Sequence, residues 1–190
     1  MRSLLLVLLA AGAGCAPAVA PAAPAPETVV ILVRHAEKAS ETADDPPLSA
    51  RGRERAEALG RALAEAGVSA VIVSERIRTH QTVEPLLRAR GLVPDTVAIR
   101  QGADAHARGV AAMIRERYRG KTVLVSGHSN TIPRVMTALG AGPLPDICDA
   151  AYANLYVKIL QGNAPPRILR TTFGPADPPG AEACGGMQAR

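Results

Sequence analysis

Beyond Glu27 the chain alternates two kinds of apolar pattern. Short runs are apolar at nearly every position and rich in β-branched residues: "TVVILV" from Thr28, "SAVIV" from Ser69 and "TVLV" from Thr122. Such runs suit strands buried on both faces of a sheet. Between them lie longer segments in which apolar residues return every three or four positions. Ala56, Leu59, Leu63 and Ala66 define one face of a helix that Ser49 caps and Gly67 ends. Val83, Leu86 and Leu87 do the same over residues 78–90, and Val110, Ile114 and Tyr118 over residues 105–118. "NTIPRVMTALG", from Asn130, predicts a helix with Pro133 in its first turn, where a missing N–H costs nothing. "DTVAIR", from Asp95, is a candidate third strand. "NLYVKIL" and "RILRTTF", separated by "QGNAPP", predict an antiparallel pair. Strands alternating with helices imply an α/β fold: a three-layer α/β/α sandwich around a mostly parallel sheet. In such sheets a site forms at the carboxyl ends of the strands.

The amino-terminal pattern is different. In "MRSLLLVLLAAGAGC" a basic residue precedes an apolar run, and small residues follow, the layout of an export signal. The run is too short to span a bilayer as a permanent helix. "GAGC" resembles a bacterial lipobox and makes Cys15 a candidate lipidation site and membrane tether, although Gly12 stands where such boxes usually carry Leu. Cleavage at an Ala-x-Ala site such as Ala16-Pro17-Ala18 is the alternative. The expected organisation is a leader over residues 1–14, a Pro/Ala linker over 15–26, a folded domain over 27–174 and an irregular tail over 175–190. Export to the periplasm would permit a disulfide between Cys148 and Cys184. Spacing alone leaves that pairing and two unpaired thiols equally open.

Charge narrows the function. The 190 residues carry 22 Lys plus Arg against 17 Asp plus Glu, a net charge of +5 spread along the chain. With three Tyr, one Phe and no Trp there is no base-stacking platform, and nucleic acid is not an expected partner. No His pair has helical ligand spacing and no Cys pair is close enough for zinc, so neither a metal nor another cofactor is expected.

Three predicted strands end in residues with chemistry: Arg34-His35, then Ser74 leading to Arg78, then Ser126-Gly127-His128. Two adjacent cations repel unless an anion sits on them. "RHAEK", "SERIRTHQT" and "SGHSNT", in this order, resemble the motifs of the histidine phosphatase superfamily, which includes phosphoglycerate mutase-like enzymes. The resemblance covers about residues 27–173. It implies a metal-independent phosphomonoester hydrolase with a small phosphorylated substrate, in which His35 attacks phosphorus and forms a phosphohistidine. Arg34, Arg78 and His128 would then bind the transferred group. The physics agrees: phosphoryl transfer needs in-line positioning and cations around the equatorial oxygens, and guanidinium forks supply them. A nucleophilic imidazole must be neutral, and neighbouring arginines favour that form.

The family commonly has Gly after the nucleophile; here Ala36 follows. An asparagine usual a few residues later is missing, and Lys38 is a possible substitute, with a solvated lysine the plainer reading. For the proton donor to the leaving oxygen, Asp104 stands in roughly the expected place, with a helix N-cap as its competing role. Glu37 and His106 are further candidates, and His80 reads as structural. Two rival functions are weighed. One is an exported domain that binds phosphorylated ligands without turnover. In the other, "GHSNT" imitates a nucleophile elbow with Ser129 as nucleophile. That needs a histidine later in the chain, and all four histidines precede Ser129.

Overall fold

The computed structural model describes residues 26–39, 44–161 and 167–183. The expected leader, Cys15, all but the last residue of the linker, residues 162–166 and Cys184 lie outside the described residues. Within them, strand β1 (Thr28–Arg34) is followed by helix α1 (Ala50–Ala62), β2 (Val68–Val73), α2 (Ile77–Arg90) and β3 (Asp95–Thr96). Then come α3 (Ala103–Arg117), β4 (Thr122–Gly127), α4 (Thr131–Ala138), β5 (Asn154–Leu160) and β6 (Arg167–Thr172). None of the described helices is long and apolar enough to cross a membrane.

The described strands form one sheet in the order β3-β2-β4-β1-β5-β6. Strands β1 to β4 pair in parallel, and β5 runs antiparallel to both β1 and β6. Alternate residues of the inner strands feed two cores. Val30, Leu32, Ile72, Val123 and Val125 pack with Val110 and Ile114 of α3 and Val135 and Met136 of α4. Ile31, Val33, Val71, Val73 and Leu124 pack with Leu59 of α1 and Val83 and Leu86 of α2. This is the expected three-layer α/β/α sandwich. A strand buried on both faces has no solvent side to reserve for polar residues, hence the unbroken apolar runs.

Boundaries differ in three places. Ser49 caps α1 as expected, its side chain accepting from Gly52 N. The helix ends at Ala62, and turns carry the chain to Gly67, whose φ of +66° suits a residue without a side chain. Strand β3 is only two residues long. It keeps one further ladder bond, Val97 N to Val73 O at 2.9 Å, before the Glu75 carboxylate takes Ile99 N at 2.9 Å and draws the chain away. Helix α3 is capped by Gly102, with no side-chain bond, and Asp104 lies inside the first turn, where a carboxylate faces the positive end of the helix.

Candidate active site

Sheet register brings the three motifs together. Arg34 ends β1 opposite Gly127 of β4, and Val73 of β2 lies opposite Ser126. The next residues, His35, His128 and Ser74, therefore emerge side by side at the carboxyl edge. His35 N donates to Gly127 O at 2.8 Å. The chain after His35 is pinned to α2: Ala36 N donates to Thr82 Oγ1 at 2.9 Å, and that hydroxyl donates to Arg78 O at 2.7 Å. Leu48 N donates to Gln81 Oε1 at 2.8 Å. The "QT" of the second motif thus has a mechanical use. At Gly52 a Cβ would stand 2.3 Å from Glu37 O, so only glycine lets α1 approach this loop.

His35 is buried, at 4% exposure. Its Nδ1 lies 2.8 Å from Ala36 O; a carbonyl can only accept, so Nδ1 carries the proton and Nε2 keeps its lone pair. Burial is the main cause that holds its pKa well below the ordinary value. The bond to Ala36 opposes this, and His128, Arg34 and Arg78 add to the lowering. The imidazole is therefore a neutral base at neutral pH.

The His128 ring lies edge-on to that of His35, with centroids 5.3 Å apart. Its Nε2 is 2.9 Å from Ser74 Oγ, and its Nδ1 is 3.4 Å from Arg78 Nη2. Its pKa is pushed down to about 3, mainly by burial and then by Arg78, with smaller effects of His106, Arg76 and Arg34. A hydroxyl can donate or accept. Ser74 therefore lets His128 present a lone pair to Arg78 now, and an Nδ1–H to a bound phosphoryl oxygen later. Thr131 Oγ1 accepts from His128 N at 2.8 Å, and a Cβ at Gly127 would come within 2.7 Å of that oxygen.

Arg78 is braced by Asp45, Nη1 to Oδ1 at 3.2 Å, while its buried Nε has no hydrogen-bond partner among the described residues. Arg34 is 4% exposed. Its Nη1 donates to Cys148 O at 2.7 Å, Asp149 O at 2.9 Å and Ala151 O at 3.3 Å. Its guanidinium carbon lies 4.1 Å from the Tyr152 ring centre, and Nη2 donates to the Tyr152 hydroxyl at 3.4 Å. That ring is also 6.2 Å from His35. A wall formed by residues 148–152 thus closes the cationic cluster.

His35, Arg34, Arg78 and His128 come together as the sequence suggested. Asp104 does not join them: it is 76% exposed and pairs with Arg134 of α4 at 3.1 Å. Glu37 is not available as a proton donor. Its carboxylate takes Arg55 Nε at 3.0 Å, Arg55 Nη2 at 2.8 Å and Arg51 Nε at 3.1 Å. Burial alone would raise its pKa, but these arginines hold it below the ordinary value. His106 is buried at 2% exposure, with Nδ1 on Val97 O. Lys38 joins Leu48 through its backbone. Ser129 makes no bond to a histidine; its carbonyl accepts from Ile147 N at 2.9 Å. Cys148 is disulfide-bonded, its partner lying outside the described residues. The sequence did not reveal Tyr152, Asp45 or the bracing role of Thr82. Thr82 lay inside a quoted motif, whereas Tyr152 and Asp45 carry no local signal.

A parallel-sheet edge that gathers two neutral histidines and two guanidiniums is suited to an oxyanion and offers a candidate nucleophile. Comparison with known proteins narrows the class. Residues 30–99 match the sequence model of the histidine phosphatase superfamily, branch 1. A protein from Nakamurella multipartitia, assigned as a phosphohistidine phosphatase SixA, superposes with a TM-score of 0.55 at 26% identity, over 80% of this chain and 99% of its own. The protein histidine phosphatase SixA complexed with tungstate gives 0.59 at 18%, over 76% and 96%. A phosphoserine phosphatase from Entamoeba histolytica, in complex with 3-phosphoglyceric acid, gives 0.57 at 12%, over 78% and 98%. The match over residues 30–99 and the shared fold support a phosphatase of the histidine phosphatase kind.

Proposed function

We propose that the chain is a phosphomonoester hydrolase that works without a metal, through a phosphohistidine on His35. As His35 Nε2 bonds to phosphorus, the bond from phosphorus to the leaving oxygen breaks, and that oxygen takes up a proton. Water then attacks phosphorus, the N–P bond breaks, and inorganic phosphate leaves a neutral imidazole. Arg34, Arg78 and His128 hold the three oxygens that carry the transition-state charge. One observation carries the reading: a buried imidazole whose Nδ1–H is fixed on a carbonyl, held uncharged beside two guanidiniums.

Protonation of the leaving group is the step with the least built around it. Among the described residues, the carboxylates beside the cluster are in ion pairs, Glu37 with Arg55, Asp45 with Arg78 and Asp149 with Arg34, and Asp104, further out, pairs with Arg134. The substrates turned over best are therefore those whose leaving groups depart with little help, such as aryl or acyl phosphates and phosphoramidates. The phosphohistidine phosphatases among the structural relatives fit that class. Asp104 serves as proton donor only to substrates that extend to the rim between α3 and α4.

We place the domain outside the cytoplasm, tethered through Cys15 or released by ordinary cleavage. The apolar leader supports this, as does the disulfide at Cys148, which an oxidising compartment favours.

Rapid quenching of the enzyme with an aryl phosphate should trap an acid-labile phosphoenzyme, absent from His35→Ala. An undiminished rate in that variant would rule out the mechanism, and loss of activity in a chelator would rule out its metal independence. A chain that binds phosphate yet releases none from any phosphomonoester or phosphoramidate would be the pure binder. Fractionation and mass spectrometry of the mature amino terminus test the location; an unprocessed cytoplasmic chain would overturn it.

A further inference from the structure

The segment after β6 reaches back into the site. Phe173 N donates to Ala153 O at 2.9 Å, and Gly174, at φ +68°, turns the chain over α1. There the Asp177 carboxylate makes three bonds. Oδ2 accepts Tyr152 N at 3.0 Å and Ala153 N at 2.9 Å, and Oδ1 accepts Arg55 Nη2 at 3.2 Å. Arg55, at 0% exposure, grips Glu37 through Nε and Nη2 and donates to Phe173 O from Nη1 at 3.0 Å. Glu37 lies two residues beyond the nucleophile.

We propose that Asp177 is a positioning residue that sets the Arg34-binding wall relative to His35. The argument rests on what else holds that wall. Strands β1 and β5 register only up to Val33 and Leu155, so residues 148–152 lie beyond the ladder. Besides the packing of Ile147, Cys148 and Ala151 in the core, their polar and covalent ties among the described residues include the bonds from Arg34, the disulfide at Cys148, Ile147 N on Ser129 O, and the Asp177 carboxylate on Tyr152 N. Three of these fix the wall to β1, to its cysteine partner and to the loop after β4. Asp177 adds the tie to α1 and, through Arg55 and Glu37, to the loop just past His35. One carboxylate thereby couples the two sides of the pocket. When it lets go, Tyr152 shifts, and the guanidinium stacked on it shifts too. A displacement of about 1 Å in an oriented site costs about 100-fold in rate.

This inference rests on the function proposed above, and its test separates the two. Orthovanadate, a phosphate analogue, is titrated against wild type, Asp177→Asn, Asp177→Ala, Arg34→Gln and the double variant Arg34→Gln/Asp177→Asn. Measurements are made well below each melting midpoint, alongside kcat and KM for an aryl phosphate. Asp177→Asn should bind vanadate about 10-fold more weakly, with kcat/KM about 10- to 100-fold lower and a larger loss for Asp177→Ala. Should Asp177→Ala fail to fold, the isosteric Asn variant carries the result. In the Arg34→Gln background the Asn substitution should cost little, because its effect passes through Arg34. A merely structural role leaves vanadate affinity of the folded fraction unchanged, or adds to Arg34→Gln in full, and either outcome overturns the proposal. A wild type that binds vanadate more tightly than Asp177→Asn but turns nothing over keeps the positioning role and removes the phosphatase reading.

Discussion

Two clusters of charge flank the same loop and are finished differently. On one side of residues 35–37, Arg55 is buried with every nitrogen bonded, two carboxylates and a carbonyl having been brought to it. On the other side, among the described residues Arg78 is held by a single, partly exposed carboxylate, and its buried Nε has no hydrogen-bond partner. Beside it two histidines are kept uncharged. Both clusters are desolvated, a costly state for a charge without compensation. The closed network compensates itself and behaves as structure. The open one leaves a deficit of negative charge, and a phosphoryl group is the natural way to fill it.

Substitutions should split accordingly. His35→Ala removes the proposed nucleophile from the open cluster and should lower kcat by about 10⁴-fold or more with little change in melting temperature. A comparable loss of stability would mean that the histidine is a packing element. Arg55→Met breaks the closed network and leaves the half-buried Glu37 and Asp177 without their shared cation. Denaturant unfolding should show a loss of about 3–5 kcal/mol, and a variant as stable as wild type would deny the network its role. Arg78→Gln should cost about 10²–10³-fold in kcat/KM while stability changes little.

Acid sharpens the contrast further. His128 is neutral when folded, with its pKa at about 3, and His35 is shifted in the same direction. Both folded values lie below the unfolded value near 6.5, so the unfolded chain binds more protons. Stability should therefore fall as pH drops below about 6.5, by about 1.4 kcal/mol per pH unit for each histidine fully responding. For His128 the loss levels off near pH 3. A stability curve flat between pH 6.5 and 4.5 would show that these imidazoles are not buried neutral. The smallest expected effect belongs to Asp104→Asn: about 10-fold or less on alkyl phosphates and none on aryl phosphates. Equal rates for both classes would remove Asp104 from the reaction.

Much of this was written in local sequence. The inner strands could be read because burial on both faces forces unbroken apolar runs, and α1, α2 and α3 because their apolar residues recur with helical spacing. His35, Arg78 and His128 were visible because each follows such a strand closely and because three motifs in order resemble one family. Asp177 was not: its contact with Arg55 spans 122 residues, and nothing near it in the chain announces a partner. Tyr152 is hidden for the same reason, stacked on an arginine 118 positions away. Glu37 was considered as an acid because it stands two residues beyond His35. What makes it structural instead is Arg55, eighteen residues on, whose bidentate grip keeps it a carboxylate.

The site has no element of its own. His35, Ser74 and His128 meet because Arg34 is indexed to Gly127 and Val73 to Ser126. Slide β4 by one residue and successive side chains exchange faces, so His128 would leave the edge that His35 occupies. The catalytic geometry is thus stored in backbone pairing of the apolar strands, and a conservative change deep in β4 that loosened this alignment could silence the enzyme without touching a single polar residue.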